Sequence, residues 1–243
     1  MQLAVVSGAT GTLGREVVAI LAERGLGVVA VSRSGESPDA GETCAVAADV
    51  ADDSAISVIA DALPAGDVAM VVHAVGLPGS TGVADVAPGL LARAVDIKAG
   101  GFLRLIRAVD TRIVAGSRIV AVGGHLGIEP TEHAPLAGVA NAALANLVRQ
   151  LTGPIGRRGA SVHLVAPGPF ESPRVEALIN AKAAGEGVAP EDIRAQLAAD
   201  YPGGRMPTAQ DVAWAIGGLL DPHATAMHGA TVFLDGGTRR GIF

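Results

Sequence analysis

Short apolar runs alternate with longer amphipathic stretches along the whole chain. Leu3–Ser7 (LAVVS) is almost entirely hydrophobic and predicts a buried strand. In the following TLGREVVAILAERG, apolar positions recur at helical spacing until Gly25 and Gly27 stop the pattern. Val28–Ser32 (VVAVS) and CAVAADV predict the second and third strands. DSAISVIADALP predicts a helix ended near Pro64, and VAMVVHAVG a fourth strand. A long helical stretch, roughly Val86 to Asp110, precedes a fifth strand in SRIVAVGG. PLAGVANAALANLVRQLTGPI predicts a long fifth helical region, and ASVHLVAPG a sixth strand. Strands without a polar face, joined by helices, predict an α/β fold in which helices cover both sides of a parallel sheet. The crossovers should be right-handed. One region breaks the rhythm. Glu171–Pro207 carries scattered Gly and Pro after the sixth strand and reads as a mobile cover over a site.

Composition narrows the class. The 243 residues suit one domain spanning 1–243, and 49% hydrophobic against 17% charged residues exclude disorder. Net charge is −6, which argues against a nucleic-acid or anionic-membrane surface. No apolar run approaches the roughly 18 residues of a membrane span. The single cysteine, Cys44, excludes an internal disulfide and suits a reducing compartment, so the expected location is cytoplasmic. Only two of the 18 basic residues are lysines, Lys98 and Lys182, so candidate lysines are few.

VVSGATGTLGRE places Gly8, Gly11 and Gly14 between the first strand and the first helix. Glycine there lets the chain turn sharply and a pyrophosphate approach the backbone, facing the free N–H groups of the helix N-terminus. The alternative is a tight turn that binds nothing. The second strand ends in Ser32-Arg33 rather than in an acid. An acid there would hold a ribose 2′-hydroxyl, whereas arginine accommodates a 2′-phosphate, so NADP(H) is favoured over NAD(H). Asp49 follows the third strand and is placed to meet an adenine amino group or to cap the next helix.

Together these segments resemble the short-chain dehydrogenase/reductase family over essentially the whole chain. SGATGTLG is similar to its glycine loop, with Ser7 and Thr12 as departures. ADV (Ala48–Val50) is similar to its adenine-contacting stretch. His73-Ala74-Val75-Gly76 stands where the family has Asn-Asn-Ala-Gly. VAPGPFES resembles the Pro-Gly turn beside the nicotinamide, with Ser172 for the usual Thr. GRMPTAQDVAWAI and GATVFLDGG resemble the last helix start and the final strand. The resemblance implies a single-domain, doubly wound Rossmann-type sheet. It implies cofactor contacts from Ser7, Gly8, Gly11, Thr12, Leu13, Gly14, Arg33, Asp49, Val50, Ala74, Gly76, Pro167 and Gly168. It also implies a homodimer or homotetramer through the fourth and fifth helices. Leu136–Val148 is rich in Ala and Leu and poor in charge, more than one buried face needs.

The catalytic residues that the family supplies are not in their places. Counted from Pro167, its Tyr and Lys positions fall on Ala137 and Asn141, its Ser on Gly123 or Gly124, and its relay Asn on Asp96. The sole tyrosine, Tyr201, is followed four residues on by Arg205, so no Tyr-x-x-x-Lys exists in the chain. The glycine pair is expected to leave room for a bulkier substrate than a serine would. Replacement acid/base candidates are His125, then His133, with His73 at the fourth strand end and Asp96 to orient a water or a histidine. Glu129, Glu132 and Lys98 lie in the same segments. His125, His133 and the two glutamates lack a metal-ligand spacing, and no metal is expected. His163, His223 and His228 read as structural or exposed. Three classes of function follow, all with a small-molecule ligand. They are a redox enzyme with an unusual proton donor, a non-redox cyclase, dehydratase or isomerase in the same pocket, and a cofactor-binding pseudoenzyme or partner subunit.

Overall fold

The structure is a computed structural model and describes residues 1–36, 38, 43–77, 79 and 81–242. Seven strands form one parallel sheet: β1 (Leu3–Ser7), β2 (Gly27–Ser32), β3 (Thr43–Ala47), β4 (Val68–His73), β5 (Ile113–Val122), β6 (Ser161–Pro167) and β7 (Thr231–Leu234). Their order across the sheet is β3-β2-β1-β4-β5-β6-β7. β1, β2, β4 and β6 are buried at every residue, which is why they lack a polar face. The direction of winding reverses at β1, which pairs with both β2 and β4. Ligands in such sheets bind outside the carboxyl ends of the strands at this reversal.

Helices cover both faces. On one side α1 (Thr12–Glu23) buries Leu13, Val17, Val18 and Leu21. The other side is covered by α2 (Ala55–Ala62), α3 (Pro88–Val95), α4 (Gly101–Ala108) and α5 (Pro135–Gly156). A π turn, Asp96–Gly100, joins α3 to α4, so the stretch expected as one long helix is interrupted at Asp96.

The region expected as an irregular cover is largely helical: α6 (Pro173–Glu186) and α7 (Pro190–Ala199). Ile179, Ala183 and Ile193 form a small core of their own between these helices. Ser172 caps α6 by accepting from the Val175 amide, and Gly187 ends it with a φ of 68°. α8 (Ala209–Gly218) opens on a Thr208–Asp211 capping box and packs beside α1.

Candidate active site

The glycine loop shapes the first half of the site. Gly8 has a φ of +76°, and a Cβ there would lie 2.8 Å from the Ala74 carbonyl oxygen. A Cβ on Gly14 would collide with the Gly8 carbonyl. The N-terminus of α1 has no side-chain cap, so its first amides are left for an anion. Beside it lies a cavity of about 510 Å³, lined by Gly8, Gly11, Arg33, Asp49, Val50, Ala74 and Gly76, among others. These residues fit a dinucleotide. Arg33 is exposed at the end of β2, and among the described residues nothing hydrogen-bonds its guanidinium. Asp49 lines the cavity and accepts from the Ala51 amide at 3.0 Å within the turn after β3; it does not cap the next helix, which starts at Ala55 after Ser54.

Several residues of the implied set do not line this cavity. Ser7 is fully buried and faces His73. Leu13 packs into the core under α1, and Gly14 is pressed against Gly8. Thr12 is exposed at the start of the helix. Pro167 and Gly168 sit farther along the sheet, at the end of β6. Thr10, Arg93 and Ile97 line the cavity but were not anticipated. Nothing in a polar loop, a surface arginine or a helical isoleucine marks them in the sequence.

His73 is not an acid/base candidate. It is fully buried, and its Nε2 donates to the Ile97 carbonyl at 3.1 Å. Its Nδ1 therefore accepts from the Ser7 hydroxyl at 2.8 Å. Burial, with Lys98 nearby, pushes its pKa down to about 3. The ring is a neutral tie between β1, β4 and the π turn. Asp96 likewise turns away. Its carboxylate meets Arg104 at 2.9 Å and Arg93 at 3.6 Å, while the next residue, Ile97, lines the cavity. The inward polar residue of this turn is Lys98, whose Nζ donates to the Val122 carbonyl at 2.9 Å. Burial lowers its pKa to about 8.

The second half of the site is the carboxyl end of β5. Gly123 and Gly124 lead into a 3-10 turn, His125–Gly127. The expected room beside the glycines is taken by Asn141 from α5: a Cβ on Gly124 would lie 2.8 Å from Asn141 Nδ2. His125 is half-buried against the Pro167–Gly168 turn, its Nδ1 3.5 Å from where a Gly168 Cβ would stand. His133 is remote from this group, its side chain 81% exposed and 3.5 Å from Glu132. Glu129 accepts from the amides of Arg240 and Gly241, so it ties down the C-terminal residues. Tyr201 supports the turn from below, its hydroxyl donating to the Pro169 carbonyl at 3.0 Å. Burial pushes its pKa up. Among the described residues no three His, Cys, Asp or Glu side chains gather as a metal site requires, and no helix is long and apolar enough to cross a membrane.

The chain and its fold have known relatives. A family model described as enoyl-(acyl carrier protein) reductase matches residues 8–239. Cis-4-hydroxycyclohexanecarboxylate dehydrogenase of Sinomonas cyclohexanicum is 30% identical over 97% of this chain and 96% of its own length. A short-chain oxidoreductase of Pseudomonas aeruginosa PAO1, described as containing an atypical catalytic center, superposes with a TM-score of 0.88. It is 25% identical, with 99% of this chain and 98% of that one covered. L-sorbose reductase of Gluconobacter frateurii, solved with NADPH and L-sorbose, shares the fold with a TM-score of 0.89. It is 19% identical, over 99% and 97% of the two chains. The chain belongs to the short-chain dehydrogenase/reductase family of oxidoreductases.

Proposed function

We propose that this protein is an NADP(H)-dependent oxidoreductase that interconverts a small organic alcohol and its carbonyl compound without a Tyr–Lys pair. The observation that carries the reading is the cofactor cleft. Its glycine loop and uncapped helix end are intact, and the end of β2 offers the unengaged Arg33 and no acid. Arginine there suits a 2′-phosphate. The NADPH complex of L-sorbose reductase and the alicyclic alcohol named for the Sinomonas enzyme point the same way. The Pseudomonas oxidoreductase gives precedent for an unusual catalytic centre on this fold.

Bound NADPH supplies the hydride of a carbonyl reduction. The chain must then present the carbonyl and provide one proton to its oxygen. Gly124, Ala137 and Asn141 offer no side chain of the acidity the family's tyrosine brings. His125 follows the glycine pair at the end of β5 and packs against the Pro167–Gly168 turn, and we assign it the contact with the substrate oxygen. A non-redox reaction in the same pocket has no comparable support, because the full-length relatives are a dehydrogenase and reductases.

The test is a panel of alicyclic and open-chain ketones and secondary alcohols, followed through nicotinamide absorbance. Equimolar loss of NADPH and appearance of alcohol is expected. Product formed at constant nicotinamide absorbance would contradict the reading. A homodimer or homotetramer built on the α3 and α5 surface, where Leu90 and Val139 are exposed, is part of the same proposal. Light scattering that shows a monomer would contradict it.

A further inference from the structure

A buried carboxylate lies close to His125. Asp235 is the first residue after β7 and is only 7% exposed. Its Oδ1 accepts from the Gly237 amide at 2.9 Å. Its Oδ2 is buried and has no hydrogen-bond partner. Arg239 brings Nε to 3.6 Å from Oδ2, beyond hydrogen-bond reach, while its guanidinium lies 3.8 Å over the Phe233 ring. A buried acceptor is rarely left without a donor, and leaving a carboxylate oxygen so is costly.

Gly168 sits between Asp235 and His125. Its amide donates to the Leu234 carbonyl at 3.1 Å, which draws the Pro-Gly turn against the end of β7. A Cβ on Gly168 would stand 3.2 Å from Asp235 Cβ and 3.5 Å from His125 Nδ1. Gly168 is not among the glycines of positive φ, so crowding and not backbone conformation is what a side chain would meet there. With glycine in place, an imidazole nitrogen and a buried acidic side chain border the same space.

We propose that Asp235 Oδ2 accepts the Nδ1–H of His125 and so positions the imidazole with Nε2 towards the substrate. The role in turnover rests on the assignment of His125 to the substrate oxygen; the hydrogen bond itself does not. A hydrogen bond at one ring nitrogen fixes which nitrogen carries the proton of the neutral ring. With Nδ1–H held by the carboxylate, Nε2 is bare on the neutral ring and protonated on the imidazolium. In a carbonyl reduction the carbon receives the hydride and the oxygen takes the Nε2 proton, which leaves an alcohol and a neutral ring. In the reverse direction the hydroxyl proton passes to bare Nε2 as the hydride leaves the carbon. Asp235 touches neither substrate nor cofactor. It is a positioning residue that sets the tautomer and steadies the imidazolium.

The other polar groups around this pair are engaged. Glu129, on the segment that carries His125, accepts from the Arg240 and Gly241 amides. Tyr201 packs against Gly236 and donates to the Pro169 carbonyl. From α5 the turn meets the neutral amide of Asn141.

The tautomer is read from the two ring 15N shifts of His125 in histidine-labelled protein, without substrate or cofactor. The chain has six histidines, and loss of one signal in His125→Gln identifies the ring. In the wild type the neutral ring is expected to carry its proton on Nδ1. In Asp235→Asn the side-chain carbonyl stays on the Gly237 amide, so the NH2 group takes the place of Oδ2, where it only donates. The ring proton then moves to Nε2. Alcohol oxidation, which needs a bare Nε2, is expected to lose about 10²-fold or more in kcat with little change in KM. Gly168→Ala sets a methyl group between the two side chains and leaves the Gly237 contact alone, so it reads the same pairing should Asp235→Asn fail to fold. A wild-type ring protonated on Nε2, or a tautomer that the variants leave unmoved, overturns the proposal. Full activity in His125→Ala beside an Nδ1-protonated wild-type ring would instead sink the reading of His125 in turnover and leave the hydrogen bond standing.

Discussion

Asn141 stands where a side chain on Gly124 would have to go, its Nδ2 2.8 Å from the position of a Cβ. The two positions therefore compete for one space. Gly124→Ser alone is expected to cost about 1–3 kcal/mol through crowding. In an Asn141→Ala background most of that cost should vanish. A double-mutant cycle by urea unfolding measures the coupling, and additive costs would show that the two do not compete.

The same crowding bears on restoring family-like residues. Ala137→Tyr with Asn141→Lys puts back two side chains but no hydroxyl at Gly124. That variant is expected to reduce generic ketones only weakly, in the NADPH consumption assay. Activity at ordinary family rates would show that the wild-type site had been disarmed by those two positions alone.

Acid should unfold this protein through two buried histidines. Burial, the first cause for both, lowers His73 to about 3 and His163 to about 4 from an ordinary 6.5. Below pH 6.5 the unfolded chain binds protons that the folded chain refuses, so stability falls with pH. The loss continues until His163 titrates near 4 and His73 near 3. Each unmatched proton contributes a slope of about 1.4 kcal/mol per pH unit, so the pair gives up to about 2.7. His73→Asn should roughly halve the slope in urea melts between pH 4.5 and 6. An unchanged slope would contradict the neutral, buried ring.

Lys98 acts at the other end of the pH scale. Its folded pKa of about 8 lies below the ordinary 10.5, so below pH 8 the folded state carries the full cost of a buried charge. Between 8 and 10.5 the folded chain releases a proton that the unfolded chain keeps, and stability rises with pH. Lys98→Met should therefore stabilise by up to about 3 kcal/mol at pH 7, an advantage that shrinks towards pH 10.5. A pH-independent difference would contradict this.

His125 is expected to matter for turnover and little for cofactor binding. His125→Ala should lower kcat by about 10²-fold or more at nearly unchanged NADPH affinity. His133→Ala should behave like the remote control His223→Ala, since the His133 side chain lies at the surface. Equal rates in all three variants would remove His125 from the reaction.

The sheet was legible because β1, β2, β4 and β6 are buried on both faces and so are written as unbroken apolar runs. The helices α6 and α7 were not. Their few buried residues, Ile179, Ala183 and Ile193, pack mainly on one another, so neither helix shows a strong apolar stripe. Of the residues singled out by local spacing, Gly8, Gly11, Arg33 and Asp49 line the cavity beside β1, while Ser7, Thr12, Leu13 and Gly14 do not. His73 was misread because a strand end does not show whether its last side chain faces solvent or a neighbouring serine. Asp96 was misplaced because the π turn changes which face of the helical stretch each residue occupies. The same turn brings Lys98 inward. Where the resemblance expects asparagine in the fourth helix and lysine on the fifth, the chain carries Asp96 and Asn141.

The central claim is that the cleft beside Arg33 holds NADP(H), and calorimetric titration of the two dinucleotides tests it most directly. NADPH should bind at least about tenfold more tightly than NADH, since a bidentate arginine–phosphate contact is lost without the 2′-phosphate. Arg33→Ala should erase that preference and leave NADH affinity unchanged. Equal affinities in the wild type, or a preference that survives Arg33→Ala, would contradict the account.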